Sequence, residues 1–231
     1  ALGEVVFNTG MVGYVEVLTD PSYAGQMVNF TYPIMGNYGV PDPSLWESPK
    51  IQAAGMICAE MNGYHSRSHA DMSLYEWCLE SKVPLLMGVD TRALTTCLRS
   101  KGVVSGAITK SGVKVKQFLD INTKHLVKQV SITEPVTVGE EGPLVIAVDC
   151  GMKENIWRLL QQLPIRLKRV PFDYDYTQED YDGLFISNGP GDPSVCVETI
   201  NVLKKALGQP DVKPTFGICL GNQLMALAVG A

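Results

Sequence analysis

Two regimes of hydrophobic patterning divide the 231-residue chain. Beyond position 143, apolar runs alternate with helical stripes. Residues 144–148 are continuously apolar, and Ile156, Leu159, Leu160 and Leu163 then recur at i, i+3, i+4 and i+7, the spacing of one helix face. The alternation continues through a strand at 166–170, a short buried strand at 184–187, and a helix carrying Ile200, Leu203 and Leu207 ahead of Gly208. A strand at 215–218 then leads through Cys219 into Leu220, Leu224 and Leu227. Such repetition predicts an α/β fold with a doubly wound parallel sheet. Sheets of this kind bind ligands outside the carboxyl ends of their strands, where Gly189 and Cys219 both fall.

Upstream the signals are shorter and mixed. Strands are predicted at 5–7, 26–31, 53–59, 84–89 and 103–108, and Leu74, Trp77, Cys78 and Ser81 mark a helical stripe. A second helix is expected over 91–99 behind Asp90 as N-cap, and a third over 115–130. This half is mixed α+β, with a topology that spacing alone leaves open. From 131 to 143 the periodicity lapses among Pro135, Gly139, Glu140, Glu141 and Gly142. The expected organisation is an N-terminal domain over 1–132, a linker over 133–143 with a solvated Glu140-Glu141 pair, and an α/β domain over 144–231.

Composition changes this picture little. Hydrophobic residues make up 45% and charged residues 19%, which places the chain among ordinary globular proteins. A net charge of −5 with scattered Lys and Arg argues against nucleic acid as a partner. The cysteines Cys58, Cys78, Cys97, Cys150, Cys196 and Cys219 are widely spaced without a CxxC pair, so a reducing, cytoplasmic setting is expected, with all but Cys219 as buried thiols. Trp46, Trp77 and Trp157 read as core or interface aromatics. No apolar stretch approaches the roughly 20 residues of a membrane span, and no membrane partner is expected. His65 and His69 stand at i, i+4, but their neighbours Asn62, Gly63, Ser66 and Ser68 suit a loop, so no metal site is expected.

Chemistry concentrates in two turns. Gly217-Ile218-Cys219-Leu220-Gly221 places a thiol between a strand and a helix, the arrangement of a nucleophile elbow. The helix dipole and unpaired N–H groups there favour a thiolate. A core cysteine is the competing reading. Asn188-Gly189-Pro190-Gly191-Asp192-Pro193 follows the preceding strand, and its glycines can present backbone N–H groups to an oxyanion. A plain chain-reversing turn is the alternative.

These two turns together resemble the nucleophile half of a class I glutamine amidotransferase. Gly3 to Gly10, Leu18 to Tyr23, Thr31 to Asn37 and Gly88 to Arg92 resemble the carbamoyl-phosphate synthetase small subunit, and Asp149 to Asn155 with Lys153 fits the same family. The resemblance implies that Cys219 attacks glutamine to form a glutamyl thioester. It further implies that the N–H groups of Gly189 and Leu220 form an oxyanion hole and that Ser22, Gly191 and Gln223 hold glutamine. Ser22 lies in the N-terminal domain, so the implied site falls at a domain interface. Ammonia would pass to a synthetase large subunit, or to fused synthetase domains, making carbamoyl phosphate from bicarbonate and ATP. No cofactor is expected in this chain; ATP and Mg²⁺ belong to the synthetase component.

Two departures from the family pattern stand out. The family base is a His two residues before a Glu, and none of His65, His69 or His125 has that context, so the triad partners are expected beyond Ala231 and the sequence reads as a piece of a longer polypeptide. Asn222 stands where the family usually has His, for which altered local packing is expected. Two other readings compete: a non-catalytic docking or regulatory region, and another class I amidotransferase. The segments around Asn8 and Ser22 speak against the latter.

Overall fold

A computed structural model describes residues 1–64, 70 and 72–231 of the chain. His65 and His69, weighed above as metal ligands, lie outside the described residues. The chain divides into two compact units, Ala1–Ile121 and Asn122–Ala231.

In the first unit the elements run β1 (Leu2–Asn8), α1 (Tyr14–Thr19), β2 (Gln26–Phe30), β3 (Ile34–Met35), β4 (Gly55–Ile57), β5 (Glu60–Met61), α2 (Leu74–Glu80), β6 (Leu85–Leu86), α3 (Thr91–Lys101) and β7 (Val104–Ala107). A sheet in the order β6-β4-β2-β1-β7 is parallel except for β7, and β3 and β5 form a separate parallel pair. Successive side chains of β2 point to opposite faces, and the sequence loads both faces with apolar residues. Val28 packs with Leu18 of α1 and Leu74 and Trp77 of α2, whereas Met27 packs with Val5, Ile57 and Leu98 of α3. Helix starts are capped as the sequence implies. Asp90 accepts from Ala93 N–H at 2.9 Å, and Ser73 and Glu76 form a reciprocal capping box.

The second unit contains α4 (Val127–Val130), β8 (Val136–Val138), β9 (Leu144–Asp149), α5 (Glu154–Leu160), β10 (Arg166–Pro171), β11 (Gly183–Ile186), α6 (Val197–Leu207), β12 (Thr215–Gly217) and α7 (Leu220–Ala228). Its sheet has the order β12-β11-β9-β10-β8, parallel apart from the edge strand β8. Helices cover both faces. Ile146, Val148 and Ile186 pack with α6 and α7, while Ala147 and Phe185 pack with Trp157 and Leu160 of α5. This is the doubly wound α/β sheet that the alternating pattern predicts.

Several elements depart from expectation. The helix expected over 115–130 is instead a 3-10 turn at Ile121–Thr123 followed by the single turn α4. Residues 115–120 are exposed or only partly buried, so the first part of this stretch has no buried face to stabilise a helix, and burial begins only at Ile121. The expected linker contains β8, whose three residues pair antiparallel with Arg169 to Leu167 of β10. So short a strand leaves almost no periodic signal. In α5 the expected stripe is rotated: Leu159 and Leu163 are exposed, and Trp157 takes the inward position beside Ile156 and Leu160. Cys97 is partly exposed, while Cys58, Cys78, Cys150 and Cys196 are buried. Helix α1 escaped the pattern, although Tyr14, Val15 and Leu18 hold the i, i+1, i+4 spacing of a buried face.

Candidate active site

Strands β11 and β12 are parallel neighbours with Ile186 opposite Gly217, so their following turns emerge side by side at the carboxyl edge of the sheet. The turn after β12 is sharp because its glycines allow it. A Cβ on Gly217 would stand 2.6 Å from Asn222 N, and one on Gly221 would collide with the Ile186 carbonyl oxygen. Helix α7 thus folds directly back over the ends of both strands. Cys219, at the apex, is held at φ 49° and ψ −109° as the residue preceding α7. Lys82 is the only other non-glycine with positive φ among the described residues. A backbone of this kind costs about 1–3 kcal/mol and persists only where its surroundings impose it. The result is an exposed thiol at a helix start.

The backbone donors around this thiol are sorted by the turn. Gly221 N–H donates to Ile218 O at 2.9 Å and Gln223 N–H to Cys219 O at 3.2 Å. Leu220 N–H lies between them and has no backbone acceptor among the described residues. Gln223 is exposed, one helical turn beyond Cys219. Asn222 is exposed as well.

The loop after β11 comes against the same turn. A Cβ on Gly189 would stand 2.7 Å from Leu220 Cδ2 and would collide with the Cys150 carbonyl oxygen. Gly189 therefore passes between Leu220 and the loop after β9, a gap that admits only glycine. Gly191 needs glycine for a different reason, a φ of 82°, and packs against Leu126. Asp192 then fixes the end of the loop by accepting from Ser194 N–H at 2.8 Å. Hydrogen bonds from Ser194 hold the Asp192 carboxyl below its ordinary range.

Beneath these loops lies a buried polar network that patterning did not single out. Asp149 Oδ1 accepts from Gly151 and Met152 N–H at 2.7 and 2.8 Å. Its Oδ2 accepts from Nε and Nη2 of Arg169, both at 2.8 Å, while Arg169 Nη1 reaches Glu154 Oε1 at 2.8 Å. Burial alone would lower the Arg169 pKa, but Asp149 and Glu154 outweigh it and raise it. Ser187 Oγ accepts from Cys150 N–H at 2.9 Å and donates to Asn188 O at 2.7 Å, and Asn188 Oδ1 accepts from Lys153 N–H at 3.1 Å. A sequence signal was present: Asp149 closes an apolar run, and Arg169 stands in the strand that pairs with that run in parallel.

Ser22 belongs to the first unit. It occupies the 3-10 turn Pro21–Tyr23 directly after α1, where Asp20 Oδ1 accepts Ser22 N–H at 2.9 Å. The same Asp-Pro-Ser device recurs at Asp42 and Asp192. The two segments quoted around Asn8 and Ser22 meet here, with Asn8 Nδ2 donating to Tyr23 Oη at 3.4 Å.

Residues 1–108 match the family described as carbamoyl-phosphate synthase small chain, CPSase domain, and residues 146–231 match glutamine amidotransferase class-I. Between them the two matches make the chain similar to both domains of carbamoyl-phosphate synthase small chains. It is 46% identical over 240 residues to "Multifunctional protein CAD" of Squalus acanthias, covering 99% of this chain and 11% of that protein. Against "Multifunctional protein pyr1-3" of Dictyostelium discoideum the identity is 44% over 256 residues, covering 99% and 12%. Against the "Carbamoyl phosphate synthase arginine-specific small chain" of Aspergillus oryzae it is 44% over 245 residues, covering 99% and 54%. The chain thus spans about half the length of that small chain and a small part of the multifunctional relatives. Cys219, Gly189, Gly191, Leu220 and Gln223 all fall within the amidotransferase match, and Ser22 within the small-chain match.

His125 is engaged by neighbours other than the Cys219 turn. Its Nδ1 accepts from Lys128 N–H at 3.3 Å, and Nε2 lies 3.3 Å from Glu198 Oε2. Among the described residues, no group of three or more His, Cys, Asp or Glu could hold a metal, and no helix is long and apolar enough to cross a membrane.

Proposed function

We propose that the chain is the glutaminase component of a glutamine-dependent carbamoyl-phosphate synthase. The observation that carries this reading is the elbow itself: an exposed Cys219 on a strained backbone, with Gly189 and Leu220 packed against one another beside it. The Cys219 thiolate attacks the glutamine carboxamide carbon, and the N–H groups of Gly189 and Leu220 donate to the resulting oxyanion. Collapse expels ammonia with an added proton and leaves a glutamyl thioester, which water hydrolyses to glutamate. Ser22, Gly191 and Gln223 hold the glutamine. The resemblance assigns the proton transfers to a His–Glu pair that residues 1–231 do not supply.

The partner is a synthetase large subunit or fused synthetase domains, which combine the ammonia with bicarbonate and ATP. ATP and Mg²⁺ act there, and this chain needs no cofactor of its own. A cytoplasmic setting fits six cysteines that are all unpaired. The test is glutamine hydrolysis by the complete protein and its Cys219→Ser variant. Ammonia release that the substitution abolishes supports the reading; release that survives it refutes the nucleophile assignment. Identical binding of the synthetase by both proteins, without ammonia release by either, would favour a docking role.

A further inference from the structure

We infer that Arg169 is a positioning residue for the oxyanion loop, acting through Asp149 and the Cys150 carbonyl on Gly189. The inference rests on the glutaminase reading and extends it to a side chain remote from the reacting atoms. Arg169 lies inside β10 between the partly buried Lys168 and the buried Val170, and is itself 8% exposed. A charge there is retained at a desolvation cost, and its partners show what it holds.

Two guanidinium nitrogens converge on one oxygen of Asp149, which leaves the other oxygen to accept from the N–H groups of Gly151 and Met152. The carboxylate cannot rotate without losing bonds on both sides. Its orientation therefore sets the path of the chain from 149 to 152, and with it the Cys150 peptide. That peptide is clamped at its N–H by Ser187 Oγ at 2.9 Å. Its flanking carbonyl meets Gly189 so closely that no Cβ fits. On its other side Gly189 meets Leu220, the second proposed donor. Lys153 N–H, bonded to Asn188 Oδ1 at 3.1 Å, ties the far end of the same loop to the residue before Gly189. Glu154, accepting Arg169 Nη1 at 2.8 Å, fixes the guanidinium from the helix that follows. The network thus supports the oxyanion loop from below at three successive residues, 187 to 189.

The chemistry predicts a selective defect. Oxyanion stabilisation acts on attack at a carbonyl, whereas alkylation of a thiol by iodoacetamide displaces iodide at a saturated carbon and develops no oxyanion. The experiment compares wild type, Arg169→Lys and Glu154→Gln in the complete protein, measuring glutamine kcat and KM together with the rate of iodoacetamide labelling at Cys219. Arg169→Lys keeps the charge but loses the two-nitrogen grip on Asp149 Oδ2. Glu154→Gln leaves the Asp149 contact intact and is the variant that guards against misfolding.

The expected result is a fall in kcat of about 10–100-fold for Arg169→Lys and of about 2–5-fold for Glu154→Gln. KM and the labelling rate should stay within about twofold in both, because neither requires the oxyanion donors. Unchanged kcat in Arg169→Lys overturns the inference. So does a labelling rate that falls or rises in step with kcat, since that marks general loosening of the elbow. A wild type that hydrolyses no glutamine refutes the glutaminase reading and removes the inference with it.

Discussion

Gly189 and Leu220 come from different strand ends of one sheet, yet a single added carbon on Gly189 would stand 2.7 Å from the Leu220 side chain. The turns after β11 and β12 are thereby locked together, and the two proposed oxyanion donors share one rigid contact. Gly189 does not have a positive φ, so its requirement is for space rather than for backbone freedom. Gly189→Ala should therefore displace the loop and lower glutaminase kcat/KM by about 100-fold or more. Steady-state kinetics on the complete protein checks this; wild-type kinetics in the variant would reduce Gly189 to a turn residue.

The strain at Cys219 gives a second expectation. A left-handed backbone is costly for any residue with a Cβ and nearly neutral for glycine. Cys219→Gly should be more stable than Cys219→Ala by about 1 kcal/mol, with both inactive. Urea denaturation of the pair reads the difference directly. Equal stabilities would mean that the elbow stores no strain.

Thiol reactivity should follow burial. Desolvation pushes Cys58 and Cys196 up to about 11, and Cys78, with help from Cys58, up to about 12. Burial raises Cys150 as well, with Asp149 adding to the effect. At pH 8 a thiol of pKa 11 is thiolate in roughly one molecule in a thousand. Labelling of the native protein should reach Cys219 first and Cys97 second, with the other four reacting only on unfolding. Peptide mapping after brief exposure tests the order, and early modification of Cys150 or Cys196 would contradict the packing around Gly189.

Acid sensitivity follows from the Asp-Pro-Ser turns. Side-chain and backbone bonds from Ser44 and Ser194 hold the Asp42 and Asp192 carboxyls below their ordinary value in the folded chain. A lowered folded pKa means that the stabilisation is present above the unfolded value, near 3.9 for Asp as an approximate reference, and is lost as pH falls through the folded value. The Asp42→Asn, Asp192→Asn double variant, whose amides do not titrate, should show a shallower loss of melting temperature below about pH 4. An unchanged acid limb would assign the loss to other carboxylates.

Much of this architecture can be read from patterning alone, and the exceptions share a physical cause. β9 and β11 announce themselves because strands buried on both faces must be apolar at nearly every position, β10 by its alternation, and the Cys219 turn because its glycines bracket a residue between a strand and a helix. β8 and α4 are too short to express a period, so their existence depends on long-range partners. The α5 stripe is misplaced because Leu159 and Leu163 match the count of a helix face while the bulkier Trp157 fills the core. Arg169 is not singled out for a related reason. Periodicity counts apolar positions, and a buried charge is meaningful only once Asp149 and Glu154 are known to lie within reach.

The second unit begins well before its first long strand. Val127 is fully buried in its core, Leu126 packs against Gly191, and β8 covers the outer edge of β10. For gene recombination this defines where an exchange can fall. A crossover between codons 121 and 122 would fall between the two compact units. One placed at 143, where the turn residues accumulate, would separate the sheet from its edge strand and the Gly191 loop from its support.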